Sequence, residues 1–269
     1  LCVRSRIMTL PTIKVLLLAA GLGTRLGELT SNTPKPLIPL GEGKIIDVAL
    51  AHLKRSGLDD VVVNTHYLGE QIQAYLGDGS HFGLNIEYSE EDPILGTGGA
   101  IKRVLERYPC ENLLIYNADA VFGRDLPLQR FAKSFLKSDA TARFMLREDP
   151  QAANIGPVTT YHSSEITNLR VSHILGEPKE CTLPRDAATA QCIFIGIHAL
   201  STKQVSPYLN NFDQVFSSTK ELYPAMLAKG EIIEAELYQG YWCDAGTPQR
   251  LEEVRTKLAS GAVLPLTKL

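Results

Sequence analysis

Apolar residues run unbroken from Val15 to Ala20 inside the stretch IKVLLLAA, and the run ends in glycines. A strand covered on both faces reads this way, because neither side-chain direction meets water. The period then changes. In KIIDVALAHLKRSG, Ile45, Val48, Ala49 and Leu53 recur close to helical spacing, and Gly57 stops the pattern. DVVVNT reads as a second strand, LGEQIQAYLG as a short helix closed by Gly77, and LNIEYS as an alternating strand. GGAIKRVLERY follows as a helix and NLLIYNAD as another buried strand. Strands alternating with helices predict βαβ units and a mostly parallel sheet. The second half is less regular. ATARFMLR, GPVTTY, EITNLRVS and QCIFIGIHAL read as strands with few helices between them, adding mixed pairing and a lid over the first half. TKELYPAMLAKG and PQRLEEVRTKLAS read as helices. The expected fold is a three-layer α/β/α, Rossmann-like domain with a mixed, mostly parallel sheet.

Composition narrows the function. The 269 residues suit one large domain, and with 44% apolar and 21% charged residues the chain has an ordinary globular make-up. A net charge of −3 carries no basic excess for nucleic acid or an anionic membrane, so any anion site must be local. Five scattered cysteines with no C-x-x-C pair point away from a disulfide framework or zinc site and toward a reducing cytoplasm. Arg4 and Arg6 loosely imitate a signal peptide. However, the apolar run is too short to span a bilayer, and glycines and Arg25 follow it. Leu1 to Leu10 reads as dispensable, with Met8 as the functional start.

Candidate chemistry begins at the glycine turn. In open α/β sheets ligands sit beyond the carboxyl ends of strands, where both this turn and Asn117-Ala118-Asp119 fall. Gly21 and Gly23 permit close backbone approach, and exposed amides in such a turn make an anion nest. The spacing GLGTRLG is not a dinucleotide fingerprint, and GEGK followed by Ile45 is not a Walker A loop. Two cations follow: Arg25, and Lys35 held between Pro34 and Pro36. Solvated surface charges are the plain alternative for both.

LAAGLGTRL followed by TPKPLIPL resembles the signature of the sugar-1-phosphate nucleotidyltransferases. The likeness continues through GDGSHFGLNIEYSEEDPILGTGGAIKRVL, LLIYNADAVF and GYWCDAGTPQRL, covering about residues 13–257. Among these enzymes it is similar to short bacterial mannose- or heptose-1-phosphate guanylyltransferases and to N-acetylmuramate-1-phosphate uridylyltransferases. The resemblance implies transfer of a nucleotidyl group from an NTP to a sugar 1-phosphate, with Mg²⁺ as cofactor. The candidate pairs are GTP with mannose or heptose 1-phosphate, and UTP with N-acetylmuramate 1-phosphate. It implies an extension over residues 1–12, one domain over 13–260 and a tail over 261–269. Residues 13–140 of that domain bind nucleotide and 141–260 bind sugar. No nucleic acid or membrane partner is implied; a homo-oligomer is compatible.

The resemblance also distributes roles. Arg25 and Lys35 meet the phosphates as the catalytic cations, and Asp119 and Asp244 hold the metal. Leu18, Ala19, Ala20, Gly21, Gly23, Thr24, Gly98 and Asn117 contact the nucleotide; Gly156, Glu177 and Lys179 contact the sugar phosphate. Two departures stand out. Ala118 replaces the glycine usual before the first carboxylate, and GEPKE reverses the usual Glu-Lys-Pro order. His66 and Cys243 read as structural. The other readings are a phosphocholine cytidylyltransferase and a nucleotide-sugar sensor of the same fold that does not react. Such a sensor would be expected to lack one of the four charged residues, and all four are present.

Overall fold

The computed structural model describes residues 12–264. Residues 1–11 of the expected extension, Met8 among them, and the last five residues of the expected tail lie outside that range. The first strand, β1 (Ile13–Leu18), leads through 3-10 turns to a small hairpin of β2 (Pro39–Leu40) and β3 (Gly43–Lys44). Then follow α1 (Ile45–Ser56), β4 (Asp60–Thr65), α2 (Gly69–Leu76), β5 (Asn85–Glu90), α3 (Gly96–Arg107) and β6 (Asn112–Asn117). Beyond β6 come β7 (Ala120–Phe122), α4 (Leu128–Phe135), β8 (Ala142–Glu148), the single turn α5 (Ala152–Ile155), β9 (Pro157–His162) and β10 (Arg170–Ile174). The long β11 (Ala188–Ser201), α6 (Thr202–Leu209), α7 (Tyr223–Ala228), β12 (Ile233–Leu237), β13 (Trp242–Asp244) and α8 (Pro248–Ala259) complete the domain.

Nine strands form one sheet in the order β5-β4-β1-β6-β11-β8-β12-β10-β9. The pairing directions set β11 and β10 against the other seven, so the sheet is mixed and mostly parallel. Alternation along β1 shows why three layers result. Val15 and Leu17 pack with α1, α2 and α4 on one face, and Leu16 packs with α3, α6 and α7 on the other. A third apolar cluster joins α1, α8 and β13.

The second-half strands do not form a lid. They extend the same sheet, because β11 is 14 residues long and changes partners along its length. Its first half pairs with β9 and its second half with β6, while β8 lies alongside across a register shift between Phe194 and Ile197. Gly196 sits in that shift at φ 91°, where a Cβ would stand 3.1 Å from the Asn117 side chain. The bulge therefore lets β11 pass close to the end of β6, where Asn117 faces the cleft.

Candidate active site

The site starts where β1 ends. Ala19 and Ala20 are buried, and Gly23 turns the chain at φ 67°. A Cβ on Gly23 would come within 2.9 Å of Thr30 Cγ2 and 3.0 Å of Lys35 Cβ. Only glycine satisfies both the conformation and the contact, and the contact brings the Lys35 loop against the turn. Pro34 and Pro36 flank Lys35 in a 3-10 turn, and the lysine is 6% exposed. Its ammonium donates to Asp119 Oδ2 at 2.5 Å.

Asp119 follows β6, and Asp244 ends β13. They meet because β13 pairs with β7 so that Asp244 lies opposite Ala120. The Ala245 amide also donates to the Asp119 carbonyl at 2.9 Å. Two carboxylates 125 positions apart in sequence are thereby brought together, one just before β7 and one at the end of β13. Arg250, in the first turn of α8, places its guanidinium 2.5 Å from Asp244 Oδ2. Burial opposes the Asp244 charge, but Arg250, with Lys35 and Arg25 behind it, outweighs burial and holds the carboxyl below the usual range. Gly246 leaves room for this cluster, since a Cβ there would stand 2.7 Å from Arg25 Nη2.

Two cavities of about 220 and 340 Å³ flank this wall and share Asn117 and Asp119. The first is lined by Leu18, Ala19, Ala20, Gly21 and Asn117, residues that the resemblance assigns to the nucleotide, together with Lys35, Gly96 and Thr97. The second is lined by Arg25, Asp244 and Gly156. Five expected residues lie outside both linings. Gly98 packs on Phe216, whose ring would be 2.3 Å from a Cβ, so its glycine serves helix packing while Gly96 and Thr97 reach the cavity. Gly23 supports the turn from behind, and Thr24 is exposed at the start of the next 3-10 turn. Glu177 and Lys179 pair with each other at 3.0 Å, with side chains 44% and 79% exposed. Ala118 is 1% exposed and packs in the core, so its methyl leaves both cavities clear.

His66 Nδ1 donates to the Glu91 carbonyl at 2.8 Å, and burial pushes the Cys243 thiol up to about 11; neither is placed for catalysis. Asn64 and Glu91 were not apparent from sequence. Buried at 3% and 4% exposure, they line the first cavity. Asn64 accepts from the Ala19 amide at 2.6 Å and donates to Glu91 at 2.7 Å, and Glu91 accepts from the Leu95 amide at 2.8 Å. This chain locks β1, β4 and the start of α3 around the cavity. Its only sequence signal is a polar residue closing the apolar run VVVN.

A family profile described as "Nucleotidyl transferase" matches residues 14–261. The chain belongs to the nucleotidyl transferase family. Within that family it is 31% identical over 239 residues to a mannose-1-phosphate guanylyltransferase of Mycobacterium tuberculosis, covering 88% of this chain and 62% of that protein. It is 29% identical over 248 residues to an N-acetylmuramate alpha-1-phosphate uridylyltransferase of Neisseria meningitidis, covering 90% and 97%. The chain thus spans about three-fifths of the mycobacterial relative and nearly all of the neisserial one. The structure of HddC from Yersinia pseudotuberculosis with GMP-PN matches the fold with a TM-score of 0.69 at 21% identity, covering 91% of this chain and 98% of that one. Among the described residues no helix is long and apolar enough to cross a membrane.

A nucleotidyltransferase must hold two anions together. Among the described residues no three His, Cys, Asp or Glu side chains cluster as a complete metal cage. Asp119 and Asp244 on one cavity wall instead offer two hard oxygen donors, with the remaining positions left for phosphate oxygens and water. That donor set suits a hard divalent cation such as Mg²⁺.

Proposed function

We propose that the chain transfers a nucleotidyl group from an NTP to a sugar 1-phosphate, giving an NDP-sugar and pyrophosphate. The observation that carries this reading is the wall of Lys35, Asp119, Arg25 and Asp244 between two cavities. The nucleoside occupies the first cavity, against Ala19, Ala20 and the Asn64–Glu91 brace. The sugar phosphate enters from the second. One of its phosphate oxygens attacks the α-phosphorus; the bond from that phosphorus to the pyrophosphate oxygen breaks, and the electron pair leaves with pyrophosphate. No general base is needed, because a phosphate monoester is already ionised at neutral pH.

Lys35 supplies a fixed positive charge at the α-phosphate, and its burial strengthens the attraction between the two. Arg25 suits forked contact with the departing phosphates. A bound Mg²⁺, held by Asp119 and Asp244, would supply charge neutralisation between the reactants. Lys35 and Arg250, which pair with the two aspartates, would then be free to meet phosphate oxygens. The relatives' names point to two donor and acceptor pairs: GTP with mannose 1-phosphate, and UTP with N-acetylmuramate 1-phosphate. The test is pyrophosphate release with Mg²⁺, crossing ATP, CTP, GTP, UTP and dTTP with mannose, heptose, glucose, N-acetylglucosamine and N-acetylmuramate 1-phosphates and with phosphocholine. One strong NTP and sugar pair is expected. Phosphocholine as the sole acceptor would move the assignment to a cytidylyltransferase, and binding without turnover would make the chain a sensor.

A further inference from the structure

The segment from β1 to β2 carries two cations with unequal seats. Lys35 is fixed by burial and by the prolines on either side of it. Arg25 is exposed, in a 3-10 segment (Thr24–Thr30) that Gly27 interrupts at φ 58° and ψ −127°. Exposed chain without sheet pairing opens at little cost. Forked contact with phosphate needs the opposite, a guanidinium already in place.

Among the described residues, two hydrogen bonds join residues 21–33 to another element, and both come from the start of α2. The Tyr67 hydroxyl donates to the Ser31 carbonyl at 2.7 Å, and the Gln71 side-chain amide donates to the Asn32 carbonyl at 3.1 Å. The donors stand four positions apart and take consecutive carbonyls. A tight turn after β4 presents Tyr67, closed by the Gly69 amide on the His66 carbonyl at 3.0 Å. The His66 bond to the Glu91 carbonyl anchors that turn. Tyr67 is 39% exposed, so burial does not account for it. The next residue passes the hold onward. Thr30, which is buried, shares its hydroxyl between the Gly23 and Gly27 carbonyls at 3.2 and 3.0 Å. Those two carbonyls lie on either side of Arg25 in the chain.

We propose that Tyr67 and Gln71 are positioning residues for Arg25, a bracket that holds the loop in its phosphate-receiving shape before the nucleotide arrives. This inference rests on the nucleotidyl-transfer reading of the site. Without the bracket, ordering the loop falls on the nucleotide and weakens its binding. The loss is selective. The β- and γ-phosphates meet Arg25 and feel the loop. A nucleoside monophosphate sits in the first cavity beside Lys35, whose seat does not depend on the bracket.

The test is calorimetric titration with Mg²⁺, using whichever of ATP, CTP, GTP, UTP and dTTP binds the wild type most tightly and the monophosphate of the same nucleoside. The double variant Tyr67→Phe with Gln71→Met keeps the ring and an unbranched, helix-forming side chain, so the backbone is preserved. Its Kd for the triphosphate is expected to rise about tenfold, the scale of two lost hydrogen bonds, with the Kd for the monophosphate unchanged. In an Arg25→Ala background the same double variant is expected to add no further loss, since its effect runs through Arg25. Unchanged triphosphate binding in the double variant would overturn the bracket. Equal weakening of triphosphate and monophosphate, or a loss that simply adds to that of Arg25→Ala, would make the pair structural and would also overturn it. Each of these outcomes leaves nucleotidyl transfer intact. A wild type that binds none of the five triphosphates would remove the nucleotidyl-transfer reading and this inference with it.

Discussion

Lys35 shows how much a single position can carry. It is buried, braced by two prolines and pressed against a glycine that no other residue could replace. Lys35→Ala is expected to lower kcat by about 10²-fold or more, the scale for losing one preorganised charge. Steady-state kinetics at saturating substrates check this, and an unchanged rate would make Lys35 a structural lysine. The rigid Pro-Lys-Pro loop and the place of Asp119 at a strand end were legible in the sequence, but the contact between Lys35 and Asp119 was not. Arg250 was not legible at all. Nothing local separates it from the other cations of α8, and its contact with Asp244 exists only once β13 and α8 meet. Buried histidines give a second residue-scale prediction. His198 has neither ring nitrogen bonded and is enclosed by Phe144, Phe194 and Tyr223, so burial pushes its imidazole down to about 3. Burial also pushes His52 down to about 4, outweighing its contact with the Phe122 carbonyl. Both stay neutral in the folded chain where the unfolded chain binds protons, from about pH 6.5 down to those values. Stability therefore falls as pH falls through that window, by up to about 1.4 kcal/mol per pH unit for each histidine. Urea midpoints at pH 7, 6 and 5 measure the slope, and His198→Phe is expected to flatten it.

At the scale of elements, the apolar runs named the first-half strands because a buried parallel strand has no polar face to confuse the pattern. β12 was missed, since Ile233, Ala235 and Leu237 alternate with Glu234 and Glu236 and look like a surface segment. The buried Glu234 is satisfied by Arg143, Ser138 and Asn168, which are distant in sequence. Glu234→Ala would leave the buried Arg143 uncompensated and is expected to cost about 3–5 kcal/mol of stability, read by denaturant unfolding. Gly98, in the first turn of α3, was read as a nucleotide contact, and the fold sets it apart from its neighbours. Gly96 and Thr97 face the cavity, while Gly98 admits Phe216. Gly98→Ala is expected to destabilise the chain by about 1–3 kcal/mol through overpacking, seen as a lower melting temperature. A Gly98→Ala chain of wild-type stability with a raised KM for NTP would return that glycine to the nucleotide site.

For the whole molecule, the sheet sets a cavity on each side of the wall that carries Asn117 and Asp119. The β1, β4 and β6 ends bring the glycine turn, Asn64 and Asn117 to one cavity, and the bent β11 carries Phe194 and Gly196 to the other. Periodicity revealed the α/β/α class because layers follow from alternation. It did not reveal that the second half extends the first half's sheet, because partner exchange along β11 is a tertiary event with no periodic trace. The most direct test of nucleotidyl transfer at this wall is Mg²⁺-dependent pyrophosphate release by the wild type and Asp119→Ala side by side, using the best NTP and sugar 1-phosphate pair, with circular dichroism to confirm both folds. Turnover by the wild type and its loss in the folded variant is the result expected. Equal pyrophosphate release by the two proteins would contradict the assignment of this wall as the catalytic centre.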